Sequence, residues 1–145
     1  MIRQATIADL DLLAPLFDAY RQFYKQPSNV AAARAFLASR FEHQQSVIFI
    51  AIEAEHAVGF TQLYPGFSST RLTRIFVLND LYVSPAARSL GTGKALLDAA
   101  CSFGRQVGAS QLSLRTAKDN TTAQALYQRA GWICDTQFLT YEIAL

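Results

Sequence analysis

The 145-residue chain has little cysteine, histidine, methionine or tryptophan: two, two, one and one respectively. Cys101 and Cys134 lack metal-type spacing and are too few for a disulfide scaffold, so reduced core thiols are expected. His43 and His56 fall at a helix end and in a turn, where solvated roles are expected. No His, Cys and carboxylate cluster has metal-site spacing, and no metal is expected. No serine stands in a G-x-S-x-G elbow, which removes an α/β-hydrolase nucleophile. Net charge is only +2, from 13 basic and 11 acidic residues, and the basic ones are scattered. That excludes the electrostatic footprint of a nucleic-acid or membrane binder. No apolar run approaches the ~20 residues that cross a bilayer. The start, Met1-Ile2-Arg3-Gln4-Ala5, does not read as a signal peptide. A soluble, cytoplasmic protein is expected.

What is abundant is apolar residues, at 51% against 17% charged, a balance that argues against disorder. The length suits a single domain over residues 1–145 with a real core. Ile2–Ala5 reads as a short strand. Thr6 with Asp9 reads as a capping arrangement, and Leu13, Leu16, Phe17, Tyr20 and Tyr24 recur at helical spacing. Pro15 within that pattern predicts a late helix start or a kink. After Pro27-Ser28-Asn29, residues 31–41 read as a second helix with Phe36, Leu37 and Phe41 inward. Val47–Glu53 and Val58–Tyr64 form a predicted hairpin, and Pro65–Ser69 a loop. Leu72–Val83 is a long strand interrupted by Asn79-Asp80. A helix follows from Lys94, with Leu96, Ala100, Phe103 and Val107 on one face. Then come a strand over residues 111–116, a helix over 121–129 and a strand pair within 132–143. This order is mixed α+β.

The most informative stretch is Arg88-Ser89-Leu90-Gly91-Thr92-Gly93, between the apolar Leu81-Tyr82-Val83 and the helix from Lys94. Glycines in a strand-to-helix turn let the backbone approach a bound group and reach positive φ. The first N–H groups of the helix have no intrahelical partners, and the positive end of its dipole lies behind them. Such a turn favours phosphate or pyrophosphate. A nucleotide P-loop fails, because Arg88 stands at its first glycine and Ala95 at its Mg²⁺-binding hydroxyl. The dinucleotide fingerprint fails at Leu96, its third glycine. An ordinary glycine turn before an amphipathic helix stays open on this stretch alone.

A second stretch, Asn120-Thr121-Thr122-Ala123-Gln124-Ala125-Leu126-Tyr127-Gln128-Arg129-Ala130-Gly131-Trp132, reads N-x-x-A-x-x-L-Y-x-x-x-G-W. In this order and separation the two stretches resemble motifs A and B of the GNAT superfamily of N-acetyltransferases. The resemblance runs over nearly the whole chain. It implies an α/β sandwich-like fold, with helices on both faces of a mixed, mostly antiparallel sheet. It also implies acetyl-CoA as co-substrate. The pantetheine arm would pair with Leu81, Tyr82 and Val83, and the pyrophosphate would lie on Arg88, Ser89, Leu90, Gly91, Thr92, Gly93 and Lys94. Asn120 and Ala123 would contact the cofactor, although capping the following helix is an equal reason for Asn120.

The resemblance places Tyr127 near the CoA sulfur. A phenol with a pKa of about 10 can protonate a leaving thiolate; the alternative is an aromatic packed on the sheet. Some diamine acetyltransferases carry Glu-Asp where this chain has Asn79-Asp80. Asn79 accepts no proton, so Asp80 is the remaining carboxylate for a general base. A bulge carboxylate that only satisfies backbone donors is the alternative, and bulk water is a further route. Asn-Asp here also resembles a branch with small-amine and histone acetyltransferases. Tyr20, Phe23, Tyr24, Tyr64 and Phe67 are candidates to line the acceptor site, with Tyr20 favoured as core. Arg21, Lys25, Arg34 and Arg40, with no acidic residue between Asp18 and Glu42, mark down polyamines. A small amine, including one with its own carboxylate, is the expected acceptor. A protein lysine or N-terminal acetyltransferase, or a non-catalytic acyl-CoA-binding module, is the alternative. The oligomeric state, a homodimer included, stays open.

Overall fold

The structure, a computed structural model, describes all residues from Met1 to Leu145. In chain order the elements are β1 (Ile2–Gln4), α1 (Leu10–Phe23), α2 (Val30–Glu42), β2 (Val47–Glu53), β3 (His56–Ser68), β4 (Thr73–Val83), α3 (Thr92–Gln106), β5 (Ala109–Ser113) and α4 (Thr121–Arg129). They fall in two compact units, Met1–Arg115 and Thr116–Leu145.

In the first unit the β-branched and aromatic runs form one sheet, in the order β1-β2-β3-β4-β5. β1 to β4 pair antiparallel, and β5 runs parallel to β4. On one face Leu13, Leu16 and Phe17 of α1 and Leu37 of α2 pack with Ile48, Ile50 and Phe60. On the other, Phe103 of α3 meets Phe49 and Phe76, with ring centroids 5.8 and 5.4 Å apart, beside the buried Leu96, Leu97 and Ala100. The mixed, mostly antiparallel sheet with helices on both faces is therefore present.

Local chemistry sets the helix boundaries. Thr6 and Asp9 form a reciprocal capping box, the arrangement that satisfies orphan donors at a helix start. Asp9 also takes two hydrogen bonds from Arg3, at 2.8 and 2.7 Å, and these hold its carboxyl down at about 2. α1 runs straight through Pro15 instead of starting late. Pro15 removes the partner of the Asp11 carbonyl, but both residues are exposed, so that carbonyl is on a solvent-facing side of the helix. Asn29 caps α2 by accepting from the Ala32 N–H at 3.0 Å.

Four expectations are corrected. Pro65–Ser69 is not a loop, since β3 continues to Ser68 in register with β4. β2 begins at Val47 opposite Leu63 and pairs with no later residue of β3, so Pro65 sits where β3 has an unpaired side, and an edge tolerates the missing N–H. Phe36 does not point inward: it is 41% exposed, stacked on Phe17 and covered by the Arg40 guanidinium. Cys134 is an exposed thiol, not a core one. Residues 132–143 form no strand pair. Their apolar side chains, Ile133, Phe138, Leu139, Tyr141 and Ile143, are exposed, and a strand without a covered face or a paired ladder gains no stability.

Candidate active site

β4 carries one more residue than β3 where the two pair. Leu63 opposes Leu78 and Gln62 opposes Asp80, which leaves Asn79 as the inserted residue. Because successive residues of β3 point to opposite faces, the insertion moves the rest of β4 to the other face. Leu78 stays with Phe76 under α3, whereas Asp80 and Tyr82 turn toward α1. Tyr82 there lies 6.3 Å from the ring of Tyr20. In a regular strand the carboxylate would sit in the apolar layer beneath α3.

Asp80 is only 3% exposed, and a buried carboxylate needs donors. Gln62 Nε2 donates to its Oδ2 at 2.6 Å and Asn79 Nδ2 to its Oδ1 at 3.0 Å. Thr61 Oγ1 donates to the Asp80 main-chain carbonyl at 2.9 Å. The carboxylate thus engages side-chain amides. Tyr20, half-buried and packed against the core as expected, donates its hydroxyl to the Asn79 carbonyl at 3.3 Å, and its ring meets Phe60 and Tyr24. Tyr64 is pushed up to about 12, first by burial and then by the charge of Asp80, with Arg40 opposing. Its phenol is therefore neutral at ordinary pH. Phe23 and Phe67 are exposed.

Sequence reasoning passed over Thr61 and Gln62, both fully buried. Two polar residues inside the run Gly59-Phe60-Thr61-Gln62-Leu63 were the available signal, because such groups are buried only against partners. It also passed over how the α1–α2 loop is held. Buried Asp18 accepts from Ser28 Oγ and the Asn29 N–H, both at 2.7 Å, and from Gln22 Nε2 at 3.0 Å. Those bonds lower its pKa, Ser28 contributing most.

The far end of β4 is open on one side. β5 pairs only with Arg74–Val77, so Leu81, Tyr82 and Val83 have no strand partner on that edge. Gly59 lets this end lie close to β3 and α3: a Cβ there would stand 2.9 Å from the Tyr82 carbonyl oxygen and 3.3 Å from Leu96 Cδ1. A 3-10 turn over Pro85–Ala87 follows, then two left-handed residues, Ser89 at φ 66° and Gly91 at φ 84°. The left-handed position besides Gly91 is thus Ser89, while Gly93 lies within the first turn of α3. No side chain caps that helix, so the first-turn N–H groups of Thr92, Gly93 and Lys94 have no intrahelical partners. A Cβ on Gly91 would meet no atom within 4 Å, so the turn is open around that residue.

The flanking cations rest on local partners. Arg88 Nε donates to the Val83 carbonyl at 2.9 Å with its guanidinium over Tyr82. Lys94 pairs with Asp98 at 2.7 Å, an exposed pair of the kind worth only ~0.3–0.5 kcal/mol. An open strand edge running into uncapped N–H groups with two cations nearby fits a ligand that has an extended amide-bearing arm and a pyrophosphate. Acetyl-CoA has both.

In the second unit, Asn120 caps α4 by accepting from the Ala123 N–H at 3.2 Å, which realises the capping role. Gly131, at φ 89°, follows the end of that helix. Tyr127 is half-buried, its ring 6.2 Å from Trp132, and its carbonyl accepts from the Trp132 N–H at 3.0 Å. The expected site residues are therefore grouped as Asp80, Leu81–Val83 and Arg88–Lys94 in the first unit, and Asn120, Ala123 and Tyr127 in the second.

No helix is long and apolar enough to cross a membrane. The family model described as Acetyltransferase (GNAT) family matches residues 13–132. An uncharacterized N-acetyltransferase of Bacillus subtilis (strain 168) is 49% identical over 140 residues, covering 97% of this chain and 94% of that protein. A crystal structure of a probable acetyltransferase is 40% identical with a TM-score of 0.95, over 100% of this chain and 97% of that one. An aminoglycoside N-acetyltransferase in complex with CoA, at 21% identity and a TM-score of 0.82 over 100% and 95% of the two chains, shares the fold. Since the family match takes in the bulged strand, the glycine turn and the α4 motif alike, the chain belongs to the acetyltransferase (GNAT) family and is an acetyl-CoA-dependent N-acetyltransferase.

Proposed function

We propose that the enzyme acetylates a primary amine of a small molecule, with Asp80 and Tyr127 as the groups that move protons. The observation that carries this reading is the Asn79 bulge, which aims a buried carboxylate to the face where Tyr20 and Tyr82 lie. Negative charge next to aromatic faces suits an ammonium, and acetyl transfer requires that ammonium to lose a proton before it attacks. Acetyl-CoA supplies the thioester from which the acyl group comes. Leu81, Tyr82 and Val83 would hold its extended arm along the open edge of β4. Arg88, Ser89, Leu90, Gly91, Thr92, Gly93 and Lys94 would hold the pyrophosphate, chiefly by main-chain N–H groups. Asn120 and Ala123 take their cofactor-binding role from the motif they share with relatives. Asp80 would accept the ammonium proton, directly or through a water. Tyr127 Oη would hold a proton for the departing sulfur, as its motif implies.

The test is CoA release from acetyl-CoA with purified protein and a panel of primary amines, alcohols and lysine-containing peptides. Transfer to small amines above all others supports the reading. Transfer to peptides alone would make the enzyme a protein acetyltransferase. Tight CoA binding with no transfer to any acceptor would make it a non-catalytic acyl-CoA-binding module.

A further inference from the structure

Gln62 is the one residue beside Asp80 with a buried polar atom left over. Its side chain is fully buried in the middle of β3, and an ionised carboxylate only accepts hydrogen bonds, so the amide must present Nε2 to Asp80. That contact, at 2.6 Å, fixes which end of the amide points elsewhere. The other end, Oε1, is buried and accepts from nothing. Burying an acceptor without a donor is unfavourable, and apolar residues of similar size are available for a strand interior. A group kept in that state is explained when a donor arrives with a ligand.

Asp80 has a matching feature on its other side. Oδ1 receives its bond from Asn79 Nδ2 at 3.0 Å, and Asn79 belongs to the bulge and is exposed. An exposed amide can rotate away into water at little cost, whereas Gln62 is locked. The carboxylate therefore has one permanent donor and one exchangeable donor.

We propose that Gln62 is an acceptor-binding residue. Its Oε1 and the Oδ1 of Asp80, after Asn79 swings out, together receive two N–H groups of a protonated primary amine. The inference rests on the amine-acetylating function proposed above and narrows its substrate class. A primary ammonium has three N–H donors, enough to serve both oxygens and still hold a water. A tertiary ammonium has one donor and an alcohol one, so neither serves both. Gln62 touches the ammonium only before proton loss, so it should act on acceptor binding more than on the transfer step.

The experiment compares wild type with Gln62→Met, which keeps the length and volume while losing both polar atoms, and with Gln62→Asn, which shortens the amide. Steady-state constants are measured with the fastest primary amine of the panel. Its N,N-dimethyl analogue, which has no N–H to lose on acylation and so cannot be acetylated, is measured as a competitive inhibitor. The expected result is a rise of at least tenfold in KM for the primary amine in both variants. The KM for acetyl-CoA should stay within twofold, and the tighter binding of the primary amine than of its N,N-dimethyl analogue, which has one N–H donor, should collapse. Asn79→Ala should lower the primary-amine KM, because it removes the competing donor. An unchanged acceptor KM in a folded Gln62→Met or Gln62→Asn would overturn the inference and leave Gln62 as a purely structural partner of Asp80. Equal rises in both substrates' KM would overturn it in the same way. If wild type transfers acetyl to no amine at all, the proposed function fails, and that outcome is read before any variant is compared.

Discussion

α3 has a left-handed glycine just outside each end, and the pair supplies its own control. Gly91, at φ 84°, precedes Thr92, and Gly108, at φ 77°, follows Val107. At both, an added Cβ would meet no atom within 4 Å. Replacing either by alanine should therefore cost only backbone strain, ~1–2 kcal/mol for an L-residue in the left-handed region. About 0.4–1 kcal/mol of that is offset because alanine restricts the unfolded chain. The net loss, about 0.5–1 kcal/mol, should lower Tm by about 2–4 °C in a chain of this size, and by the same amount for both variants. Function should separate them. Gly91 immediately precedes the Thr92, Gly93 and Lys94 donors, beside which the pyrophosphate is proposed to lie, so an added Cβ would crowd that ligand. The Gly108 Cβ lies at the far end of the 15-residue helix. Gly91→Ala should raise the acetyl-CoA KM at least tenfold, a loss of about 1.4 kcal/mol or more, while Gly108→Ala leaves it within twofold. Thermal melts and steady-state kinetics on both proteins read the two quantities. Equal KM values for matched Tm losses would show that the turn does not hold the cofactor.

Tyr127→Phe should lower kcat by 10²-fold or more if Oη supplies the proton to the departing sulfur, with the acetyl-CoA KM little changed; an unchanged kcat removes Tyr127 from the mechanism. Gly59→Ala should destabilise the protein by about 1–3 kcal/mol, because its Cβ would stand 2.9 Å from the Tyr82 carbonyl oxygen. A melt within 1 °C of wild type would show that β4 yields freely there. Asp9, held down to about 2 by Arg3, is a depressed carboxyl, so its stabilisation is complete above the ordinary value near 3.9. It fades as pH falls from there through about 2. The shift corresponds to roughly 2 kcal/mol, reduced to about 1–2 because the Arg3 side chain is 39% exposed and screened by water. Asp9→Asn should be less stable than wild type by that amount at pH 7 and indistinguishable at about pH 1, below both pKa values; a gap that persists there would assign the effect to packing.

Where the chain's structure follows from neighbours in sequence, the sequence could be read. The Thr6–Asp9 box and the Asn120 cap are satisfied within a few residues, and each appeared where its chemistry predicts. The glycine turn was legible for the same reason, although its left-handed residue besides Gly91 is Ser89 and not Gly93. What escaped depends on partners distant in sequence. Pro65 reads as a loop until β2 is seen to begin opposite Leu63, which turns that part of β3 into an edge. The site itself shows the limit most clearly. Phe76, Leu78 and Asp80 are each buried and spaced by two, a pattern that by period alone places all three on one face of the sheet. A bulge at Asn79-Asp80 is among the readings of the sequence, but only the register against β3 shows that Asn79 is the inserted residue and that Asp80 faces the opposite way from Leu78. A strand sequence cannot specify its own bulge when either face would accept the residues, because the choice is made across the ladder by Gln62 and Leu63. The buried Gln62 was the accessible clue: an amide in the centre of an apolar strand requires a polar partner on its own face. Asp80 is the carboxylate on the neighbouring strand that a one-residue shift brings there.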